Sequence, residues 1–150
     1  MRPIRAILPA LLTCALLAGC GGSDENEAFG DKFGPVNDQL LVLRSSISQA
    51  PPGSDAMLAG EFSGFATQLD ETRRRLDTLK PPEELRGKTD ALSTALAKLT
   101  ADLRDIAHAA TVHDTPGTRA ATQRMVTDLR AAEDARRELA RETGVRVGNG

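Results

Sequence analysis

Tryptophan and tyrosine are absent from this 150-residue chain, and four phenylalanines are its only aromatic residues. Sugar and aromatic-ligand platforms rely on exposed rings, so the shortage argues against them. Cysteine is nearly as scarce. Cys14 and Cys20 are the only two, and no later thiol is available as a nucleophile, a disulfide partner or a Cys-x-x-Cys-His haem attachment. A Gly-x-Ser-x-Gly elbow, a glycine-rich phosphate loop and His-Glu-x-x-His are also missing, which removes the common marks of hydrolytic and nucleotide chemistry. No apolar run reaches the ~18 residues that a membrane span needs. Positive charge is not in excess either, with 19 Lys and Arg against 21 Asp and Glu. The only basic run, Arg73-Arg74-Arg75, is flanked by Asp70, Glu71 and Asp77, so it reads as a solvated helix face rather than a patch for nucleic acid or anionic lipid. We expect no catalytic, cofactor-binding or metal-ligating residues, and no enzymatic activity.

What is present begins with a short cationic head, Arg2 and Arg5, followed by an apolar run of 12 residues from Ile7 to Ala18. That is the layout of a secretory signal, too short for a stable span. It ends in Leu17-Ala18-Gly19-Cys20, which resembles the lipobox of bacterial lipoprotein precursors. The resemblance implies that Leu17, Ala18 and Gly19 are read by the signal peptidase, that the Cys20 thiol receives a diacylglyceryl group, and that residues 1–19 are removed. It implies export and anchoring on the extracytoplasmic side of a bacterial membrane. Each buried methylene contributes about 0.8 kcal/mol, and two acyl chains hold where one is marginal. Cys14 would leave with the signal and Cys20 would be consumed by the lipid, so no disulfide forms within one mature chain. Loss of Arg2 and Arg5, with no acidic residue, moves the formal charge from −2 to about −4.

Residues 20–27, the lipidated cysteine and the small, acidic stretch after it, have the composition of a flexible tether. The ~120 residues beyond are enough for one compact domain. Pro51-Pro52-Gly53, Pro81-Pro82, Asp114 to Gly117 and Gly144 divide them into four long segments. In the first, Phe29, Phe33, Val36, Leu40, Leu43, Ile47 and Ala50 recur at alternating steps of four and three. Leu58, Phe62, Phe65, Leu69, Thr72, Leu76 and Leu79 do so in the second, with similar spacing. Leu85, Thr89, Leu92, Leu96, Leu99, Leu103, Ile106 and Ala110 follow in the third. This is the heptad spacing of helical stripes. The fourth segment carries a thinner face of Met125, Val126, Leu129, Ala132, Ala135 and Leu139, for which helix propensity is the better guide.

Punctuation agrees with the period. Ser54-Asp55 suits a cap for the second helix, Pro82-Glu83-Glu84 and Thr115-Pro116 suit first turns, and Gly144 suits a stop. Gly34-Pro35 interrupts the first stripe, so that helix begins either near Ala28, disturbed at the proline, or at Pro35; the phase of Phe29 and Phe33 favours Ala28. Four helices with single apolar stripes and short loops specify an all-α fold, an antiparallel up-down four-helix bundle over residues 28–143. The alternative is a three-helix bundle with a loosely packed first helix. Residues 144–150 are expected to fray as a disordered tail.

The two histidines are the candidate metal or haem ligands. His108 and His113 are five apart, about 140° around a helix, so they cannot share a metal from one regular helix. Asp105 and His108 are spaced to meet, but one Asp-x-x-His lacks the paired Glu-x-x-His and additional glutamates of di-iron bundles. His108 reads as solvated, and His113 as a cation at the end of the third helix. A haem bundle of the cytochrome b562 type needs a methionine early in the first helix and a histidine late in the last, and neither is present.

Leu76-Asp77-Thr78-Leu79-Lys80-Pro81-Pro82-Glu83-Glu84-Leu85, after a lipobox and before a long Leu/Ala-rich helix, is similar to a linker found in small helical lipoproteins of actinobacteria. That likeness implies a bundle and no particular activity. The expected role is a non-enzymatic cell-envelope protein that engages a protein partner, with the thin fourth helix as the docking face. A carrier of a small apolar ligand or lipid in the bundle interior is the alternative.

Overall fold

The computed structural model describes residues 21–50 and 53–148, with side chains from Asp24 onward. Four helices account for nearly all of the described residues: α1 (Gly21–Ser48), α2 (Asp55–Thr78), α3 (Glu83–Thr111) and α4 (Thr115–Glu142). Each neighbour pair runs antiparallel. Arg75 near the end of α2 reaches Gln39 of α1 at 3.2 Å, Asp55 at the start of α2 meets His113 after α3 at 2.6 Å, and Lys88 early in α3 meets Glu142 at the end of α4 at 2.5 Å. With α1 also against α4, the helices close in chain order into an up-down four-helix bundle.

The stripes explain the closure. Phe29, Phe33, Val36, Leu40, Leu43 and Ile47 of α1 are all buried, together with Phe62, Leu69 and Leu76 of α2 and the whole third stripe. On α4 the inward residues are Ala121, Met125, Ala132, Arg136, Leu139 and Ala140. Small side chains let helices approach, and α3 lies close along both α2 and α4. α1 approaches its neighbours over shorter stretches. It is nevertheless a full member of the core, with Phe33 wholly buried, so the loosely packed first helix of the alternative is not what forms.

The ends follow local chemistry. Ser54 caps α2 by accepting from the Met57 amide, and Asp114 caps α4 by accepting from the Gly117 amide at 3.0 Å. Gly144, at φ 69°, ends α4 in the left-handed region that glycine enters without penalty. α3 ends in the same way but with His113 at φ 56°, where the Asp114 amide donates to the Ala109 carbonyl and the His113 amide to Ala110.

Two segments differ from expectation. α1 begins at Gly21, inside the stretch expected to be a flexible tether, and runs unbroken through Pro35. The stacked rings of Phe29 and Phe33, 6.2 Å apart, pin the turns before the proline. Pro35 itself faces solvent, where water can satisfy the carbonyl left without its amide partner. The segment after α4 does not fray throughout. Val145 and Val147 pack against the core, the Arg146 carbonyl accepts from Asn37 at 3.1 Å, and Gly148 lies over Leu41.

Where α1 passes the end of α4, Gly30 sits so close to the Thr143 carbonyl oxygen that a β-carbon would collide with backbone. Alanine there gains about 1 kcal/mol of helix propensity but forces the two helices apart at an overpacking cost of ~1–3 kcal/mol. Gly30→Ala is therefore expected to lower stability by up to about 2 kcal/mol in urea denaturation; an increase would show that α1 and α4 part freely at this point.

Candidate functional site

Leu17, Ala18, Gly19 and Cys20 lie outside the described residues. The histidines are not brought together as a ligand pair: His108 is exposed on α3, while the His113 ring turns to Asp55 beyond the helix end. Asp105 is engaged by Arg124 at 2.7 Å. The dipole-facing role expected of the His113 ring is taken by backbone amides closing the end of α3. Among the described residues no group of three or more His, Cys, Asp or Glu is arranged to hold a metal ion. The Arg73-Arg74-Arg75 run is paired along its own face, Arg73 with Asp70 and Asp77 and Arg74 with Asp70 at 2.5 Å. Arg104 of α3 reaches the same Asp70 at 3.6 Å. Arg73, foremost by hydrogen bonding, and Arg74 hold the Asp70 carboxyl below the usual carboxylate value.

Between α1 and α4 the bundle is less tightly closed. A cleft there is lined by Leu40, Leu43 and Ile47 of α1, Leu69 of α2, Leu96 and Leu99 of α3, and Leu129 and Ala132 of α4, with Arg44, Glu133 and Arg136 on its polar side. Its free room is about 20 Å³, enough for roughly one water. Outside it a shallower groove continues along Arg44, Ser48, Leu129, Arg130, Glu133, Asp134 and Arg137.

The polar side of the cleft is the least expected part of the molecule. Arg136 is 2% exposed, in the middle of the α4 stripe. Its Nη1 donates to Asn37 Oδ1 at 2.5 Å, its Nε and Nη2 to Glu133 at 2.9 and 2.8 Å, and its Nη2 also to the Val147 carbonyl at 2.7 Å. Asn37, itself fully buried, passes the link on to the Arg146 carbonyl. Glu133 further accepts from Arg137 at 2.7 Å and faces Arg44 at 4.0 Å. Burial pushes the Glu133 carboxyl up, but Arg136, Arg44 and Arg137 outweigh it and hold the group below the usual carboxylate value. One guanidinium thus joins α4, α1 and the segment after α4.

Sequence reasoning placed Ala135 on the fourth stripe and passed over Arg136 because it is charged. The spacing pointed the other way: Met125, Leu129, Ala132, Arg136 and Leu139 keep the alternation of four and three that the other stripes show. Asn37, by contrast, lies beside the stripe at Val36 rather than on it, and its burial carries no signal in the spacing.

A second polar junction lies between α3 and α4. Asp102, 5% exposed, accepts from Arg124 Nε at 3.0 Å and has Asp128 beside it. Burial is the main cause that pushes the Asp102 carboxyl up, Asp128 adds to it, and Arg124 works against both. Elsewhere buried hydroxyls are satisfied within their own helix, as when Thr89 and Thr100 donate to the carbonyls of Leu85 and Leu96.

No protein-family model, curated protein or solved structure matches the chain.

Two outcomes follow from these junctions. Arg136→Ala strands a mostly buried carboxylate and a buried amide, and is expected to cost about 3–5 kcal/mol in chemical denaturation. Replacing Asn37, Glu133 and Arg136 together by Leu, Leu and Met should recover most of that loss, and failure to recover would mean that the network itself is not what Arg136→Ala breaks. At Asp102 the sign is opposite to that of a paired carboxylate. Its folded-state pKa is raised, so the native state binds the proton more readily than the unfolded one, and stability is lost as pH rises from the usual value of 3.8 through the raised one. Asp102→Asn should therefore gain on the parent as pH rises above 3.8 and then hold a constant advantage, read as the difference between their urea midpoints across pH; a difference that stays flat throughout would exclude the effect.

Proposed function

We propose that this chain is an exported bacterial lipoprotein, held to the extracytoplasmic face of a membrane through a diacylglyceryl group on Cys20, and that its bundle is a non-enzymatic envelope domain that engages another protein. Leu17-Ala18-Gly19-Cys20, following a cationic head and a 12-residue apolar run, is the observation that carries the reading. No described helix is long and apolar enough to cross a membrane, and a lipid anchor requires none. α1 is helical from Gly21, the first described residue, so on this reading the segment after Cys20 is a helix rather than a flexible tether. The bundle would then stand at a restricted angle to the surface, with the Asp55–His113 end held away from it. The inner face of α4 is taken up by α3 and by the Arg136 network, so a partner meets the outer side of that helix, where Val126 is 42% exposed.

A second reading, a carrier for a small apolar ligand, is supported by the leucine-lined cleft between α1 and α4. It is compatible with the same anchor.

In cells fed an alkyne-bearing palmitate, the parent chain is expected to take up label and to fractionate with membranes. Cys20→Ser should lose the label and leave the membrane fraction. Persistence of both in that variant would refute the anchor.

A further inference from the structure

The α1–α4 cleft opens between arginines. Arg44, Arg130, Arg136 and Arg137 surround it with only Glu133 and Asp134 to balance them, in a chain whose overall formal charge is −2. These cations are not equally engaged. Arg136 and Arg137 are hydrogen-bonded to Glu133, whereas Arg44 stands 4.0 Å from it and Arg130 is exposed with no ion-pair partner among the described residues. The inside of the cleft offers leucine, isoleucine and alanine. An apolar cleft with one unpaired cation, Arg130, and one loosely paired cation, Arg44, at its mouth is complementary to a molecule that is apolar along its length and anionic at one end.

We propose that the α1–α4 seam binds a single-chain anionic amphiphile, an acyl chain carrying a carboxylate or phosphate head, with the chain among Leu43, Ile47, Leu96 and Leu129 and the head at Arg44 and Arg130. This deepens the carrier reading and rests on it. The part of the slot between Leu40 and Ile47 spans seven residues of α1, about 10 Å at 1.5 Å per residue, which suits a medium-length chain.

As it stands the cleft has room for about one water, so binding requires α1 to move outward, and the attachments of α1 are distributed to allow it. The first part of the helix is pinned, by Gly30 against Thr143, by Asn37 to Arg136 and Arg146, by Gln39 to Arg75 and by Gly148 over Leu41. From Leu43 to the end of α1 the links to α4 are the apolar contacts lining the cleft and the long Arg44–Glu133 pair. Most of the α1 residues that line the slot, Leu43, Arg44 and Ile47, thus lie beyond the last hydrogen bond from α1 to α4. An anionic head would replace Glu133 as the partner of Arg44 when the seam parts, offsetting the loss of that pair.

The full chain carrying Cys20→Ser, so that no acyl group of its own competes, is the sample. Decanoate, decyl phosphate and 1-decanol are titrated below their aggregation limits, with thermal melting by circular dichroism and isothermal calorimetry as readouts. Because the chain has no tryptophan, Ser48→Trp at the mouth of the groove adds a single emission reporter. The proposal expects one or both anionic probes to raise the melting temperature and shift that emission. Arg44→Gln with Arg130→Gln should weaken the anionic probes about tenfold and leave decanol unchanged. Decanoate alone points to a fatty acid, decyl phosphate alone to a lysophospholipid, and either supports the site. Equal binding of decanol and the anions, unaffected by the double variant, overturns the anionic recognition while the carrier reading survives. Binding that leaves the Ser48→Trp emission unmoved overturns the location, and no binding by any probe overturns the proposal and the carrier reading together.

Discussion

The buried guanidinium of Arg136 is the directional contact that ties α1 to α4 and to the segment after α4. α3 lies close along both α2 and α4, whereas α1 meets α2 and α4 over shorter stretches. Apolar packing is non-directional and would tolerate α1 at several heights and rotations. Arg136 removes that freedom by demanding particular acceptors, Asn37 on α1, Glu133 on its own helix and the Val147 carbonyl. A charge taken this far from water is costly unless its donors are matched, so the register that satisfies it is selected over those that do not.

The same constraint divides α1 in two. Toward its start the helix is tied to α4 and to the segment after α4. Toward its end it relies on leucines and on the Arg44–Glu133 pair. The cleft therefore lies where directional contacts run out, and its polar edge is the outer rim of the network that pins the other half. On the proposed reading the pinned half is the one nearest the anchor and the looser half the one farther from the membrane. That arrangement keeps the attachment rigid while the more distant part of the seam remains able to respond to a ligand.

Much of this was legible in the residues. Steps of four and three in three segments, with Ser54, Pro82, Asp114 and Gly144 marking ends, suffice for four helices and their order, because helical period and capping are local properties. The start of α1 was misjudged because an acidic, glycine-containing stretch and Gly34-Pro35 both argue against helix, while stacking of Phe29 on Phe33 and burial of their stripe argue for it. The segment after α4 was misjudged because the acceptors it offers, the Arg146 and Val147 carbonyls, find their donors on α1 and α4, far away in sequence. Arg136 was passed over although its spacing was correct, since a charged residue on an apolar stripe declares its role only when its partners are known.

By itself, then, the amino-acid sequence determined the number and order of the helices, every helix end but the start of α1, and the apolar inward faces, all of which depend on residues within a turn or two of each other. It also holds the segment on which the proposed anchor rests. Only the tertiary structure decided that Arg136 and Asn37 share one buried junction, that the last described residues close over α1, and that an apolar cleft opens among arginines between α1 and α4. Those features arise from contacts between residues about a hundred positions apart, such as Asn37 and Arg136, and no local period encodes which side chains will meet when two faces are brought together.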